Sequence, residues 1–435
     1  MNSVKLHTAK ETLVTAFALF SLFFGAGNLI LPPLLGFTSG HLWWLVSLGF
    51  CLSAVLVPIL GIMAHAKLQG TIFDFGKKVS KGFSLVYSFL IYVISISLPS
   101  PRTASVTHEM AIQPFFDVPS WLTGTVYFSL VFLFVVNRSK LLNVLGKILT
   151  PTIIIILLLI IGISLFSTDQ PVGPITLSSP FANGILEGYQ TFDAIGAVVV
   201  GGVIIISVNL KKKEASYQEK KTLIRRAGIL AGSALLLLYT GLIYTGALVQ
   251  ADFDTEITRT ALLNGISHLT LGRNGQVFLS VLVSLACFTT AVGIVTGTSD
   301  FIQSRFKNSK KAYLITVIAG CLLGVLIGQF NVAYIIAVAL PALMFIYPIT
   351  IVLILLNAIP NKWASPKVFR AVVTTTIIFS IPDFIGSLGW GASISALQEI
   401  IPLSRYSMGW ILPAMIVFVL FNLTRKKHPI NNSSL

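Results

Sequence analysis

Apolar residues in this chain neither alternate nor follow a single helical stripe. They form long runs divided by short polar stretches, most of them basic. A run of about 20 apolar residues is the length a helix needs to cross a bilayer. Twelve such segments can be marked, at about 14–38, 41–66, 83–112, 121–136, 147–166, 179–208, 227–250, 276–302, 312–329, 331–356, 368–388 and 406–424. The third is long, and its outer part is polar. Continuous runs, rather than alternation over about ten residues, exclude a membrane β-barrel. The pattern predicts an all-α polytopic membrane protein with about 12 transmembrane helices.

Composition supports this. The chain is 55% hydrophobic and 10% charged, with mean hydropathy +0.87, whereas soluble domains carry roughly 25% charge. A net charge of +15 would suit nucleic acid if it were gathered on one face, but it is spread through short loops. Of 30 Lys and Arg, 26 fall in alternate loops, and only Arg102, Arg259, Arg273 and Arg405 fall on the other side. That asymmetry predicts both termini in the cytoplasm and no nucleic-acid partner. The most basic loop, 210–226, is expected to anchor topology, with anionic lipid as a secondary contact. The acidic stretch 251–259 is expected outside as a loop, a candidate for a short surface helix. The first apolar run is too long for a cleaved signal and has Pro32-Pro33 where small residues would stand, so it is expected to remain. Cys51, Cys287 and Cys321 all lie in apolar segments and read as buried thiols without a disulfide role.

Two spans interrupt their own apolar pattern. Residues 16–37 hold Gly25-Ala26-Gly27-Asn28 at their centre, followed by Pro32-Pro33. The sixth span has Gly188-Tyr189-Gln190-Thr191-Phe192-Asp193 at its centre. Lipid cannot bond a free backbone group, so backbone unwound at this depth must face protein or a wet cavity. One such break can be a kink that eases packing. Two breaks, each in the first helix of a five-helix group, fit an inverted-topology repeat with broken helices 1 and 6 crossing at the midplane. This divides the chain into 1–178 (spans 1–5), 179–356 (spans 6–10), and 357–435 with two extra helices and a cytoplasmic tail.

Four groups of residues are chemical candidates. At Gly25, Ala26, Gly27 and Asn28 a half-helix begins, and its amides suit a substrate carboxylate; Asn28 either meets substrate or ion, or bonds a neighbouring helix. At Tyr189, Gln190, Thr191 and Asp193, unwound carbonyls can receive a substrate ammonium. Asp193 either holds a cation or a proton, or serves as a structural pair or helix cap. In span 8, Ala286, Thr289 and Thr290 are spaced i, i+3, i+4 and share one face. They offer a hard-oxygen half-shell for Na⁺, or each hydroxyl bonds back to its own helix. Arg102, with Glu109 beyond, either gates the outer vestibule by pairing with Asp193, Glu187 or Asp383, or snorkels to the interface, or pairs with Glu109. Asp383 is expected to cap a Pro-broken helix. His65 and His108 stand alone, and no hydrolytic, metal or phosphate-loop motif occurs, so no enzyme and no cofactor are expected.

The stretches Phe-Phe-Gly-Ala-Gly-Asn-Leu-Ile-Leu-Pro-Pro (23–33), Pro-Arg-Thr-Ala-Ser-Val-Thr-His-Glu (101–109) and Gly-Tyr-Gln-Thr-Phe-Asp-Ala (188–194) resemble the bacterial branched-chain amino acid:cation symporters, the BrnQ-type carriers of leucine, isoleucine and valine. The resemblance covers nearly the whole chain. It implies a LeuT-type fold, location in the bacterial cytoplasmic membrane, and Na⁺-coupled symport by alternating access. It also implies a sodium held by the carbonyls of Ser21 and Phe24 with Ala286, Thr289 and Thr290 opposite. A second sodium of that fold needs an Asn from span 7, which has none here, so unless Asp193 replaces that ligand, one Na⁺ per substrate is expected. The rival readings are a proton-coupled carrier of the same fold with Asp193 titrating, and a membrane sensor that binds amino acid without transport.

Overall fold

A computed structural model of the chain describes residues 2–137, 141–167, 172–211 and 214–424. Every element in them is helical. In chain order these are α1 (Asn2–Phe23), α2 (Ala26–Ser39), α3 (Trp43–Cys51), α4 (Val57–Leu68), α5 (Ile72–Gly76), α6 (Lys81–Ser97), α7 (Pro99–Thr107), α8 (Ser120–Asn137) and α9 (Leu141–Ser167). The chain continues through α10 (Pro180–Tyr189), α11 (Asp193–Lys211), α12 (Tyr217–Leu248), α13 (Arg259–Arg305), α14 (Lys310–Gly328), α15 (Val332–Ala358), α16 (Pro366–Ile385), α17 (Ser395–Ile400) and α18 (Ile411–Leu423).

Among the described residues, eight helical stretches are long and apolar enough to cross a membrane, and 150–166 and 411–423 are shorter apolar helices. Their outward faces carry exposed large apolar side chains, such as Val86, Phe89 and Val93 on α6 and Val126, Leu130 and Leu133 on α8. Water would penalise such faces, whereas lipid accepts them.

Both interrupted spans are broken. The first stops at Phe23 and restarts at Ala26, with Gly25 extended at φ −118°. The break is shorter than the sequence predicts, because Gly27 and Asn28 already belong to the first turn of α2, and Pro32 and Pro33 lie inside α2 rather than ending it. The sixth span stops at Tyr189 and resumes at Asp193, turning through Phe192 at φ +63°. A left-handed conformation at a bulky residue costs energy that surrounding structure must repay.

The broken helices pack into the rest of the fold crosswise. α1 and α2 lie along α12, while α10 lies against α3 and α11 against α4. Contact between α2 and α12 is backbone to backbone. A Cβ on Gly36 would run into the Ile243 carbonyl, and one on Gly246 into the Pro33 carbonyl, so both positions need glycine.

Several local expectations change. Much of the basic stretch 210–226 is helix, because Ser216 and Glu219 form a capping box that starts α12 (Ser216 N to Glu219 Oε2 2.7 Å; Glu219 N to Ser216 Oγ 3.3 Å). Residues 251–258 turn without helix; the surface helix begins at Arg259 and is set off from span 8 by a kink at Gly272, φ +67°. Asp383 does not cap a broken helix. Pro382 sits within α16, and the Asp383 carboxylate accepts from the Gly409 amide (3.2 Å) and Ser404 Oγ (3.4 Å), fastening the segment that leads into α18. Cys51, Cys287 and Cys321 are buried and free. Of the basic residues in the predicted cytoplasmic loops, Arg138, Lys140, Lys212, Lys213, Arg425, Lys426 and Lys427 lie outside the described residues, as does the tail 425–435.

Candidate functional site

The two breaks meet. At the first, the Phe24 amide still bonds the Phe20 carbonyl (2.7 Å), but the next amide, Gly25, turns to the Asn28 side chain (Asn28 Oδ1, 3.2 Å). Asn28 thus caps the helix it belongs to. Ending α1 there removes the i+4 donors from its last turn, where the carbonyls of Ser21 and its neighbours stand.

The other end of the Asn28 amide crosses to the sixth span. Its Nδ2 donates to Asp193 Oδ2 (2.6 Å) and to the Tyr239 hydroxyl, and Tyr239 donates to the same Asp193 oxygen (3.3 Å). Asn28, Asp193 and Tyr239 are at most 3% exposed. Asn28 makes a helix-to-helix bond and also lines the cavity between the breaks. α12 contributes a tyrosine to this corner, a residue the reading of the sequence did not single out.

Asp193 opens α11, where helix amides favour a carboxylate. Its amide donates to Thr191 Oγ1 (3.2 Å). The next amide, Ala194, donates to the hydroxyl of Tyr347 on α15 (3.1 Å). Tyr347 in turn stacks on Tyr189, ring centroids 4.4 Å apart. Tyr189 therefore faces α15, away from the first break. Both tyrosines that bond the sixth-span break are fully buried in largely apolar spans, and a buried phenol needs a partner for its hydroxyl. That was the available signal for Tyr239 and Tyr347.

Arg102 is the largest departure. It is 2% exposed, it does not snorkel, and it does not pair with Glu109. Pro99 and Pro101 open α7 after a kink at Leu98, and the new helix turns Arg102 inward. Nη1 donates to the Gln190 carbonyl (2.7 Å), and the guanidinium carbon lies 5.1 Å from the Phe192 ring centre. Gly27 is packed so closely that an added Cβ would come within 2.5 Å of Nη2. Glu109 is engaged elsewhere, accepting from Thr260 Oγ1 (2.6 Å) and the Val332 amide (2.8 Å). The outer ion pair is instead Arg259 with Glu187, at 2.8 Å.

These groups enclose a cavity of 170 Å³. Ser21, Gly25, Gly27 and Asn28 line it from the first span, Thr191 and Asp193 from the sixth, Arg102 from α7, and Thr289 and Thr290 from α13. Phe23, Phe192, Ile195, Val199 and Ile294 supply its apolar walls. Tyr189 and Gln190 are not among the lining residues; Gln190 takes part through its carbonyl. The first break touches α13, since a Cβ on Gly25 would lie 3.2 Å from Thr290 Oγ1. Both threonine hydroxyls bond back to the Ala286 carbonyl, at 2.9 and 3.0 Å.

Polar groups of both signs inside an apolar, membrane-depth cavity suit a small zwitterion with an aliphatic tail. Comparison with known proteins decides which class this is. The family profile described as "Branched-chain amino acid transport protein" matches residues 8–428. The chain belongs to that family. It is a branched-chain amino acid transporter and not an enzyme. Similar curated relatives of the family include the branched-chain amino acid transport system 2 carrier protein of Pseudomonas aeruginosa, 32% identical over 94% of this chain and 95% of that protein. The branched-chain amino acid permease BraB of Bacillus subtilis is also 32% identical, over 94% of each. Among solved structures, the inward-facing form of Mhp1 superposes with TM-score 0.58 at 11% identity, covering 94% of this chain and 89% of that one. MhsT in complex with L-phenylalanine gives 0.57 at 14%, covering 94% and 98%. Identity this low carries the fold alone, and that fold is LeuT-type. The chain is therefore a multi-pass membrane protein of a bacterial permease family with the architecture of LeuT-like secondary transporters.

Proposed function

We propose that this chain imports leucine, isoleucine and valine together with Na⁺ by alternating access. The observation that carries the coupling reading is the contact between the first-span break and α13. Gly25 abuts Thr290, and Ser21, Thr289 and Thr290 line one cavity. Na⁺ favours hard oxygen ligands, and the carbonyls of Ser21 and Phe24 with Ala286, Thr289 and Thr290 would supply them. The Ala286 carbonyl now receives both hydroxyl protons, so a cation bound there would turn at least one hydroxyl away. Closing α1 onto α13 around Na⁺ would link ion binding to the position of the broken helix, and each ligand shifts the equilibrium only by its differential affinity.

One Na⁺ per substrate is the stoichiometry of this reading, and the opposite corner supports it. There Tyr239 on α12 and Asn28 bond Asp193 directly, which holds the two breaks together without a second cation. The zwitterion would dock between, carboxylate toward the first-turn amides of α2 and ammonium toward the sixth-span break, with its tail against Ile195, Val199 and Ile294. The crosswise packing of α1 and α2 on α12, and of α10 and α11 on α3 and α4, supports a repeat of 1–178 and 179–356 followed by the extra helices of 357–435. With the charge asymmetry of the loops, it supports twelve spans and cytoplasmic termini.

Radiolabelled leucine uptake into proteoliposomes tests this. Uptake is expected with an inward Na⁺ gradient, and Thr289→Ala with Thr290→Ala should raise the Na⁺ requirement at least roughly 10-fold, a change of about 1.4 kcal/mol. Full uptake driven by a pH gradient in sodium-free buffer would refute Na⁺ coupling and favour the proton-coupled carrier. Leucine binding without accumulation would favour the sensor.

A further inference from the structure

The buried guanidinium of Arg102 lies in the cavity with no anion to match it. Among the described residues no carboxylate comes within ion-pair distance. Nη1 is held by the Gln190 carbonyl, but Nε, buried, has no protein acceptor. A charged side chain at membrane depth without a partner is costly, and such residues ordinarily face a pathway or a counter-charge. Asp193 is the nearby candidate for that counter-charge, yet its Oδ2 is taken by Asn28 and Tyr239.

Neighbouring groups crowd the guanidinium. Phe192, at the left-handed turn of the sixth-span break, lays its ring against the guanidinium. Gly27 lies against Nη2, beside the first-turn amides of α2. Nη1 is pinned on one side, and the remaining Nε–Nη2 edge is the part of an arginine that forks a planar carboxylate with two parallel bonds.

We propose that Arg102 is the receptor for the substrate's α-carboxylate, clamping it between the Nε–Nη2 edge and the first-turn amides of α2. This rests on the amino acid docking in the central cavity and adds the residue that recognises one end of it. Arg102 supplies permanently the positive charge opposite that carboxylate, so a second cation at that end is not required. It also couples substrate to both breaks at once: Arg102 touches the sixth span through Gln190 and Phe192, and the first through Gly27. A carboxylate drawn onto it therefore bridges the two moving half-helices.

The test separates carboxylate recognition from general damage. Leucine uptake into proteoliposomes is measured in competition with unlabelled leucine and with leucinamide, which keeps the ammonium and the tail but replaces the carboxylate by a neutral amide. Wild-type protein is expected to prefer leucine by roughly 100-fold or more, because the amide leaves the guanidinium unpaired. In Arg102→Gln the leucine KM should rise roughly 30- to 100-fold while inhibition by leucinamide changes little, so the preference collapses. Arg102→Lys, which keeps the charge but loses the fork, should lie between, at roughly 10-fold. A wild-type KM and an undiminished preference in Arg102→Gln would overturn the assignment. Where Arg102→Gln does not fold, judged by thermal unfolding in detergent, Arg102→Lys decides: a narrowed preference supports the assignment, and an unchanged KM and preference overturns it. Wild-type protein that takes up no leucine under any gradient would defeat the transport reading as well; wild-type uptake with unaltered discrimination in the variants defeats Arg102 alone.

Discussion

Replacing Tyr239 by Phe removes one oxygen from the junction of the two broken helices and leaves the ring in place. The ring stacks beside Phe24 (centroids 6.3 Å apart, 15° between planes) and meets Phe50 edge-on (5.3 Å, 79°), so apolar packing is nearly conserved. The hydroxyl makes two bonds. It accepts from Asn28 Nδ2 and donates to Asp193 Oδ2. Losing the donor to an acidic group costs about 1.5–3 kcal/mol, and leaving the Asn28 N–H without its second acceptor costs about 1–3 kcal/mol more. Asn28 retains Asp193 through its other proton, so the expected total is about 2–4 kcal/mol. For a chain of 435 residues that lowers the melting temperature by roughly 2–4 °C. Tyr87→Phe is the matched comparison. That hydroxyl bonds only Thr350 Oγ1 (3.0 Å), a neutral pair worth about 1 kcal/mol. Thermal unfolding of both variants in the same detergent measures the difference. Tyr239→Phe within about 1 °C of wild type, or less destabilised than Tyr87→Phe, would refute the view that this hydroxyl holds the breaks together.

Other perturbations follow from the same contacts. Gly36→Ala drives a methyl into the Ile243 carbonyl on α12, and because both sides are backbone it should cost more than a typical point mutation, roughly 3 kcal/mol or more, read as loss of folded protein in size-exclusion chromatography. Asn28→Asp places a second carboxyl against Asp193 in place of a donor, and leucine uptake should fall at least roughly 10-fold, recovering in no variant that leaves both acids in place. The Arg259–Glu187 pair is partly exposed, so a double-mutant cycle with Arg259→Gln and Glu187→Gln should give only about 0.5–1 kcal/mol in thermal stability, shrinking as salt is raised.

Membrane class, helical content and the position of both breaks were legible in the sequence because each rests on local physics. Long apolar runs have one stable solution in lipid, and a Gly-rich or carboxylate-bearing interruption stands out against them. Ser216 with Glu219 likewise carried a capping box in plain spelling, although the stretch reads as a loop when only its charge is weighed. Pro32 and Pro33 work in the other direction. They lie inside α2, where packing against α12 overrides their preference as helix breakers.

Arg102 shows where sequence reasoning stopped. Its polar neighbours in 99–109 suggested an outer, wet position, and nothing local says that α7 turns it inward onto the Gln190 carbonyl and the Phe192 ring. Tyr239 and Tyr347 are similar: a tyrosine in a largely apolar span has a defined need for a hydroxyl partner, but the partner lies 46 positions away in one case and 153 in the other. The sequence by itself determined that this chain spans a membrane in helices, two of them broken at mid-depth, because those features follow from the solvent and from neighbouring residues. Only the tertiary structure decided that Asn28, Asp193 and Tyr239 bond one another and that Arg102 enters the cavity with an edge to spare, because which polar groups meet inside an apolar bundle is set by the rotation and offset of whole helices, and apolar sequence fixes neither.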